Sequence, residues 1–155
     1  MSGWIRAGSG QLWHRVSVLE HADAIARGEF RLLCGATLPT RAGWQDAVDE
    51  LVPPDDQHAP CRDRALREAY WSSRIPSGNV VEIVRELVGA IAPDLDRVTI
   101  LPGKGREGLW IFELRAANLS PVLAGAGLSV AAAVGDLLAT VEARESHPPN
   151  DMRTH

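Results

Sequence analysis

Two stretches in the second half of the chain repeat hydrophobic residues every three or four positions, which predicts two amphipathic helices. The first covers residues 80–91, with Ser77 as a candidate cap and Pro93 as a stop. The second begins at Ser129, where a hydroxyl side chain suits the start of a helix. Both apolar faces need a partner surface, so a sheet is expected between them.

The segment between these helices is rich in β-branched and aromatic residues. Residues 98–101 and 109–114 predict an antiparallel strand pair, and a weaker third strand is predicted around residues 121–123. Residues 103–108 satisfy the pattern G-x-G-x-x-G after a strand. A dinucleotide-binding loop requires a helix next, whereas the following segment has strand character, so the pattern predicts a hairpin turn.

The first half of the chain consists of shorter segments separated by Gly and Pro. Residues 1–11 are rich in Gly and Ser and are predicted to be loose, with Trp4 and Ile5 as anchors. Gly28 is well placed to end the first predicted helix. The predicted strands are residues 12–18 and 30–34, and the predicted helices are residues 19–27, 44–52 and 62–73.

This change in pattern near residues 75–78 predicts a two-part chain. The first part, residues 1–74, carries the Cys and most of the His residues. The second part, residues 78–144, has the order helix, strand, strand, weaker strand, helix, and residues 145–155 are predicted to be a disordered tail. The expected fold class is α+β, with a zinc-stabilised first module and a small antiparallel sheet covered by two helices.

Composition places the chain among ordinary globular proteins. Of its 155 residues, 45% are hydrophobic and 23% are charged, and the net charge is −4. No apolar run approaches the ~20 residues of a membrane helix, and the start lacks the order of a secretory signal, so no membrane association and a cytoplasmic location are expected. The absence of a basic run disfavours nucleic acid as a partner.

Two cysteines and their neighbours carry the strongest chemical signal. A disulfide is disfavoured in the cytoplasm, so two Cys close to His are first considered as metal ligands. His58 and Cys61 form a His-x-x-Cys knuckle just before a predicted helix, whose amide end favours a thiolate. Cys34 ends a predicted strand and is followed by Gly35, which allows a sharp turn.

His14 completes the set, because pairing of its strand with residues 30–34 would bring it close to Cys34. The predicted ligands of a structural Zn²⁺ are therefore His14, Cys34, His58 and Cys61. Four protein ligands leave no open position for water, which favours a structural over a catalytic ion.

Several alternatives stay open at this level. His21 competes with His14 as a ligand, and Asp56 or Asp63 would serve as substitutes for the fourth ligand. Isolated Cys residues are also common as small buried hydrophobes, so a merely buried arrangement is the alternative to zinc.

The same residues carry a resemblance to a family. Trp13-His14, Leu33-Cys34-Gly35 and the final Cys61 before an Ala- and Arg-rich helix resemble the small, mostly uncharacterised zinc-finger proteins of high-GC Gram-positive bacteria and their phages. That family carries a His, a Cys-Gly and a closing Cys-x-x-Cys, and the likeness covers about residues 12–71. This chain has His58 in place of the first closing Cys and an inserted segment at 19–28. The resemblance implies ligands and no activity.

The functional prediction is a non-enzymatic interaction or regulatory module with an unidentified protein partner. No triad, paired-carboxylate or Cys-His nucleophile pattern stands out, so no enzymatic activity is expected. The main alternative is a nucleic-acid-binding regulator that uses Arg62, Arg64 and Arg67 on the helix after the knuckle. A third class, a zinc hydrolase, requires an open coordination position.

Overall fold

The computed structural model describes residues 3–8, 10–75, 79–95, 98–104, 108–116 and 123–146. The fold is α+β, as predicted. By internal contacts the chain divides into two compact units, Met1–Arg67 and Glu68–His155. The division falls seven residues before the predicted end of the first module at residue 74. Residues 76–78 of the predicted linker and 147–155 of the predicted tail lie outside the described residues.

The first unit contains short strands around a single short helix. Its elements are β1 (Gly3–Ala7), β2 (His14–Val16), α1 (Glu20–Arg27), β3 (Glu29–Arg31), β4 (Thr37–Pro39) and β5 (Trp44–Ala47), followed by the start of α2 (Ala59–Ser72). Helix α1 ends at Gly28, whose φ of 92° is the left-handed conformation expected at a helix C-terminus, so this helix and its stop are confirmed.

A three-stranded antiparallel sheet organises this unit, with β1 in the centre of the order β2-β1-β5. The prediction of a loose segment is therefore wrong for Gly3–Ala7, whereas the prediction of Trp4 and Ile5 as anchors is confirmed. Trp4 and Ile5 are both buried, and neighbouring residues of a strand point to opposite faces. Because β1 is covered on both faces, its apolar residues are adjacent and lack the alternation that marks a half-exposed strand.

Each face of the sheet carries its own small core. Ile5 packs in a cluster whose other buried members are Val16, Ala24, Phe30, Leu32 and Leu38. Trp4 packs in a second cluster whose other buried members are Trp13, Val52 and Cys61. Cys34 is half-buried and packs against both clusters.

Two further predictions for this unit are wrong. Residues 44–52 form strand β5 and a short 3₁₀ turn at Asp49–Leu51 instead of a helix, because pairing with β1 outweighs the local helix preference. The segments 12–18 and 30–34 do not pair as strands, because β2 pairs with β1 and β3 pairs with β4. The helix predicted at 62–73 is present as α2 but begins earlier, at Ala59.

The second unit follows the predicted order of elements. It contains α3 (Val80–Ile91), β6 (Val98–Lys104), β7 (Trp110–Ala116), β8 (Leu123–Gly127) and α4 (Val130–Ser146). The three strands form an antiparallel sheet of order β6-β7-β8, which confirms the strand pair. The third strand is present but lies later than predicted, at Leu123–Gly127, and residues 121–122 are outside the described residues. Gly103 and Lys104 pair with β7, so the glycine pattern lies on a hairpin; residues 105–107 are outside the described residues.

One core unites the helices and the sheet of this unit. Its buried side chains include Val84 and Val88 of α3, Phe112 and Leu114 of β7, and Leu137 of α4. The Ser129 hydroxyl accepts a hydrogen bond from the Ala132 amide at 3.1 Å, which confirms its capping role. The predicted cap Ser77 lies outside the described residues.

Strand β8 and helix α4 approach each other closely at Gly125. A Cβ at this position would lie 2.7 Å from the Leu137 Cα, which no side chain tolerates. Within the described residues, no helix combines the length and the apolar character needed to cross a bilayer.

Candidate metal centre

Four side chains from three separate segments converge at one point of the first unit. The candidate ligand atoms of His14, Cys34, His58 and Cys61 all lie within 4.8 Å of one another. These are the four residues that the sequence predicted as a set. The cluster therefore has the donor composition and proximity of a site that is able to hold a metal ion.

Strand β2 is the framework of the cluster, because main-chain bonds tie both flanking segments to it. Before His14 in the chain, the Trp13 carbonyl oxygen accepts a bond from the His58 amide at 2.8 Å. After His14, the Arg15 carbonyl oxygen accepts a bond from the Leu33 amide at 2.9 Å. The residues before and after His14 thus position His58 and Cys34, respectively.

The start of helix α2 supplies two of the four side chains. The His58 carbonyl oxygen accepts a bond from the Arg62 amide at 2.8 Å, so His58 stands at the first, capping position of the helix. Cys61 lies in the first turn, and its side chain is fully buried. Cys61 was predicted just before the helix and instead lies in its first turn, where the positive end of the helix dipole favours a thiolate.

Cys34 is presented by a tight turn. The Gly35 amide donates to the Leu32 carbonyl oxygen at 2.9 Å, and Gly35 has a φ of 93°. Residues with a side chain rarely adopt this conformation, which explains why a glycine follows the cysteine. The predicted role of Gly35 as the turn after Cys34 is confirmed.

Three nitrogen–sulfur distances within the cluster are close to those of a tetrahedral site, and all ligand atoms lie within 4.8 Å of one another. The Nδ1 atom of His14 lies 3.7 Å from the Cys34 sulfur and 3.9 Å from the Cys61 sulfur. The Nδ1 atom of His58 lies 3.3 Å from the Cys61 sulfur. Ligand bonds of about 2.3 Å to sulfur and 2.0–2.1 Å to nitrogen place tetrahedral N and S ligands about 3.6 Å apart. The three observed separations bracket this value.

The electrostatics of the cluster disfavour charge in the absence of a cation. Burial raises the pKa of the Cys61 thiol from 9.0 to about 12, although a hydrogen bond from the Arg15 backbone N–H acts in the opposite direction. Burial, followed by repulsion from His58, lowers the pKa of His14. Burial is the main cause of both shifts, because the charged form of a group is less stable where little water reaches it. A bound cation would stabilise the thiolate.

The alternative ligands do not join the cluster. His21 instead packs edge-on against Phe30, with ring centroids 5.4 Å apart, and against Trp44. Within the described residues, the only group of candidate metal ligands contains neither His21 nor Asp56 nor Asp63.

The arginines proposed for nucleic-acid contact are engaged within the chain. The Arg62 guanidinium donates to the Pro54 carbonyl oxygen at 3.3 Å. Arg64 and Arg67 also take part in interactions inside the protein. None of these observations favours a phosphate-binding face on α2.

Sequence reasoning missed the polar support behind β2. Buried Arg15 forms an ion pair with Asp49, and its guanidinium stacks over the Trp4 ring at 5.0 Å. Asp49 also accepts a hydrogen bond from the Trp4 indole nitrogen at 2.6 Å. Alternation along β2 places Arg15 on the face opposite to Val16, and it is buried because that face is also covered; the sequence alone carries no signal for the second covered face.

Comparisons with family models, curated proteins and solved structures each give no match for this chain. The resemblance to small zinc-finger proteins therefore stays a prediction, and the functional argument depends on the cluster itself.

Proposed function

We propose that the first unit is a structural zinc module, in which one Zn²⁺ is held by His14, Cys34, His58 and Cys61. The observation that carries this proposal is the convergence of their ligand atoms within 4.8 Å. Two thiolates and two imidazoles are a donor set that zinc prefers, and hard cations such as Mg²⁺ and Ca²⁺ require oxygen ligands. A reducing compartment such as the cytoplasm suits a site that needs two free thiols.

A structural role follows from the number and position of the donors. Four protein ligands complete a tetrahedron, so no position is left for a reactive water molecule. The four residues come from the β2 strand, the Cys34 turn and the start of α2, and one ion would fix these three segments together. The two cores of this unit are small, and domains with little buried apolar area often depend on a metal.

The wider role that best suits such a module is non-enzymatic. In this proposal the ion sets the shape of the first unit, and the surface of the unit recognises a protein partner in a regulatory or assembly role. A zinc hydrolase would require three ligands and a bound water, and the four-donor geometry speaks against that arrangement.

Metal analysis of the purified protein tests the proposal. We expect one equivalent of zinc in the intact protein and a loss of zinc in Cys34→Ser and Cys61→Ser. His21→Gln is the matched control, because this histidine lies outside the cluster, and it should retain zinc. A fully folded protein that is isolated without metal, and that binds none when zinc is added, would refute the proposal.

Substitution by Co²⁺ distinguishes a closed site from an open one. A closed Cys2His2 site should give the intense visible bands of tetrahedral cobalt together with thiolate charge-transfer absorption. These bands should not respond to added azide or cyanide, because no exchangeable position is present. A spectrum that shifts with these anions would instead support an open, hydrolase-type site.

A further inference from the structure

The first unit has an apolar cleft at one end of its three-stranded sheet, where β1 begins and β5 ends. Its lining includes Gly3 of β1, His21 of α1 and Asp46 of β5. The cleft has a volume of about 390 Å³, within the range of roughly 300–1,000 Å³ that is usual for binding sites. Leu51 and Val48 stand at its wall with 72% and 40% of their surfaces exposed. The apolar residues that line it are Trp4, Val18, Ala47, Val48 and Leu51.

The same cleft adjoins the free edge of a sheet. Strand β5 is the last strand in the order β2-β1-β5, and no other described strand pairs with it. Asp46 and Ala47 belong to β5 and also line the cleft. An extended segment that added to this edge would form main-chain bonds to β5, and where it passes Ala47 at the end of the strand it would place side chains beside the cleft.

The negative charge of residues 45–57 favours a basic partner. Residues 45–57 contain five acidic residues and no Lys or Arg. Asp49 is paired with Arg15, whereas Asp46, Glu50, Asp55 and Asp56 are exposed. Asp46 lines the cleft and Glu50 directly precedes the cleft residue Leu51, so the cleft is complementary to apolar side chains flanked by basic ones.

We infer that this cleft and the β5 edge bind an extended polypeptide segment in which apolar side chains alternate with Lys or Arg. The segment adds to the sheet as a strand next to β5. A second copy of this chain is a poor occupant, because edge-to-edge pairing would bring two acidic 45–57 segments together. The inference rests on the proposed interaction role and gives that role a surface and a partner chemistry.

The probe is a fluorescein-labelled peptide of sequence KVKLKVKLK, with EVELEVELE as the charge-reversed control. Fluorescence anisotropy on the zinc-loaded full chain should show binding of the basic peptide that weakens as salt is added. The acidic peptide should show no binding. If the intact protein fails to bind the basic peptide, or binds both peptides equally, the inference is overturned.

Matched variants locate the binding surface. Leu51→Asp should weaken binding by about tenfold or more, because it places a charge on the apolar wall. Leu66→Asp is the control, since Leu66 is 62% exposed on α2 and lies outside the cleft. The double variant Asp46→Lys/Glu50→Lys should also bind about tenfold more weakly than Asp63→Lys/Glu86→Lys, which changes the net charge equally. Equal losses in a variant and its control would overturn the inference.

Two accompanying measurements separate this inference from the zinc proposal. Every variant is assayed for zinc content, and its oligomeric state is determined by sedimentation. A folded, zinc-loaded protein that does not bind the basic peptide overturns the cleft inference alone. A zinc-free protein that still binds the peptide with the Leu51 dependence overturns the zinc proposal alone. A dimer that Leu51→Asp disrupts would identify a second copy as the occupant and overturn the peptide inference.

Discussion

The Leu33 amide donates a hydrogen bond to the Arg15 carbonyl oxygen at 2.9 Å. Arg15 directly follows His14, and Leu33 directly precedes Cys34. This one bond therefore brings together the two segments that carry these ligands. The remaining pair, His58 and Cys61, is brought in by the bond between His58 and Trp13, the residue before His14. These main-chain bonds hold the four ligands close together, and four of the five predictions below concern the first unit.

Removal of zinc should loosen the first unit selectively. A strong chelator should accelerate amide hydrogen exchange in β1 and β2, because their small cores lose the cation that joins the adjoining segments. Exchange in α3 and α4 should change little, since the core of the second unit contains none of the four ligands. Peptide-resolved exchange measured by mass spectrometry checks this, and equal acceleration in both units would contradict it.

Gly35→Ala should weaken the metal centre through the backbone alone. A Cβ at this position has open space around it, but the φ of 93° is strained for alanine by about 1–2 kcal/mol. We expect a fall in zinc affinity of about tenfold, measured by competition with a chelating dye. Gly89→Ala, at an equally open position inside helix α3, is the control and should be neutral or slightly stabilising.

Asp49→Asn should destabilise the first unit. The amide still accepts the bond from the Trp4 indole, but the buried Arg15 guanidinium loses its anionic partner. The expected loss in the free energy of unfolding is about 1–3 kcal/mol, measured by urea denaturation. Glu50→Gln, an exposed neighbour, should change stability by less than about 0.5 kcal/mol. A similar loss in both variants would show that the Arg15 pair contributes nothing specific.

The stability of the metal-free protein should be greatest between about pH 6.5 and pH 9. The pKa of Cys61 in the folded state is raised from 9.0 to about 12, so this group contributes stability that is present below pH 9 and lost as pH rises towards 12. The pKa of His14 is lowered, so stability also decreases as pH falls below about 6.5, where the unfolded chain binds the proton more readily.

Urea midpoints of the metal-free protein across this pH range provide the measurement. Cys61→Ala isolates the alkaline limb, because this variant has no thiol to ionise at that position. It should lose less stability between pH 9 and pH 11 than the parent protein. If Cys61→Ala loses as much stability between pH 9 and pH 11 as the parent protein, groups other than Cys61 cause that loss.

Gly125→Ala should prevent normal packing in the second unit. Its Cβ would overlap the backbone of α4, which is unable to move away without opening the core. A loss of about 3 kcal/mol or more in the free energy of unfolding is expected. Gly103→Ala is the control in the same sheet, because its nearest neighbour would be 3.8 Å away. Comparable losses in the two variants would argue against the close approach of β8 and α4.

The second unit could be predicted almost completely from the sequence. Helix α3 buries one face, so Val84 and Val88 repeat with a helical period, whereas α4 is buried at every position from 133 to 139 and is marked by its apolar residues rather than by an exposed polar face. Its strands pair with their neighbours in the chain, so short-range signals are enough to place them.

The first unit could be predicted only in part, because its sheet joins distant segments. Trp44–Ala47 has local helix character and becomes a strand only by pairing with β1, about forty positions earlier in the chain. The four ligands could nevertheless be named, since zinc chemistry restricts the choice to a few side chains. The predicted pairing of the His14 strand with residues 30–34 is wrong. A single main-chain bond between Leu33 and Arg15 brings His14 and Cys34 close together instead.

Cys34 packs against the clusters on both faces of the β1 sheet. A cation bound to its sulfur would therefore link two cores that share no other described residue. Neither core would then unfold before the other, and the first unit would unfold in a single all-or-none transition despite its small size. Such cooperativity would limit the population of half-open states in which the exposed edge of β5 could pair with the wrong chain.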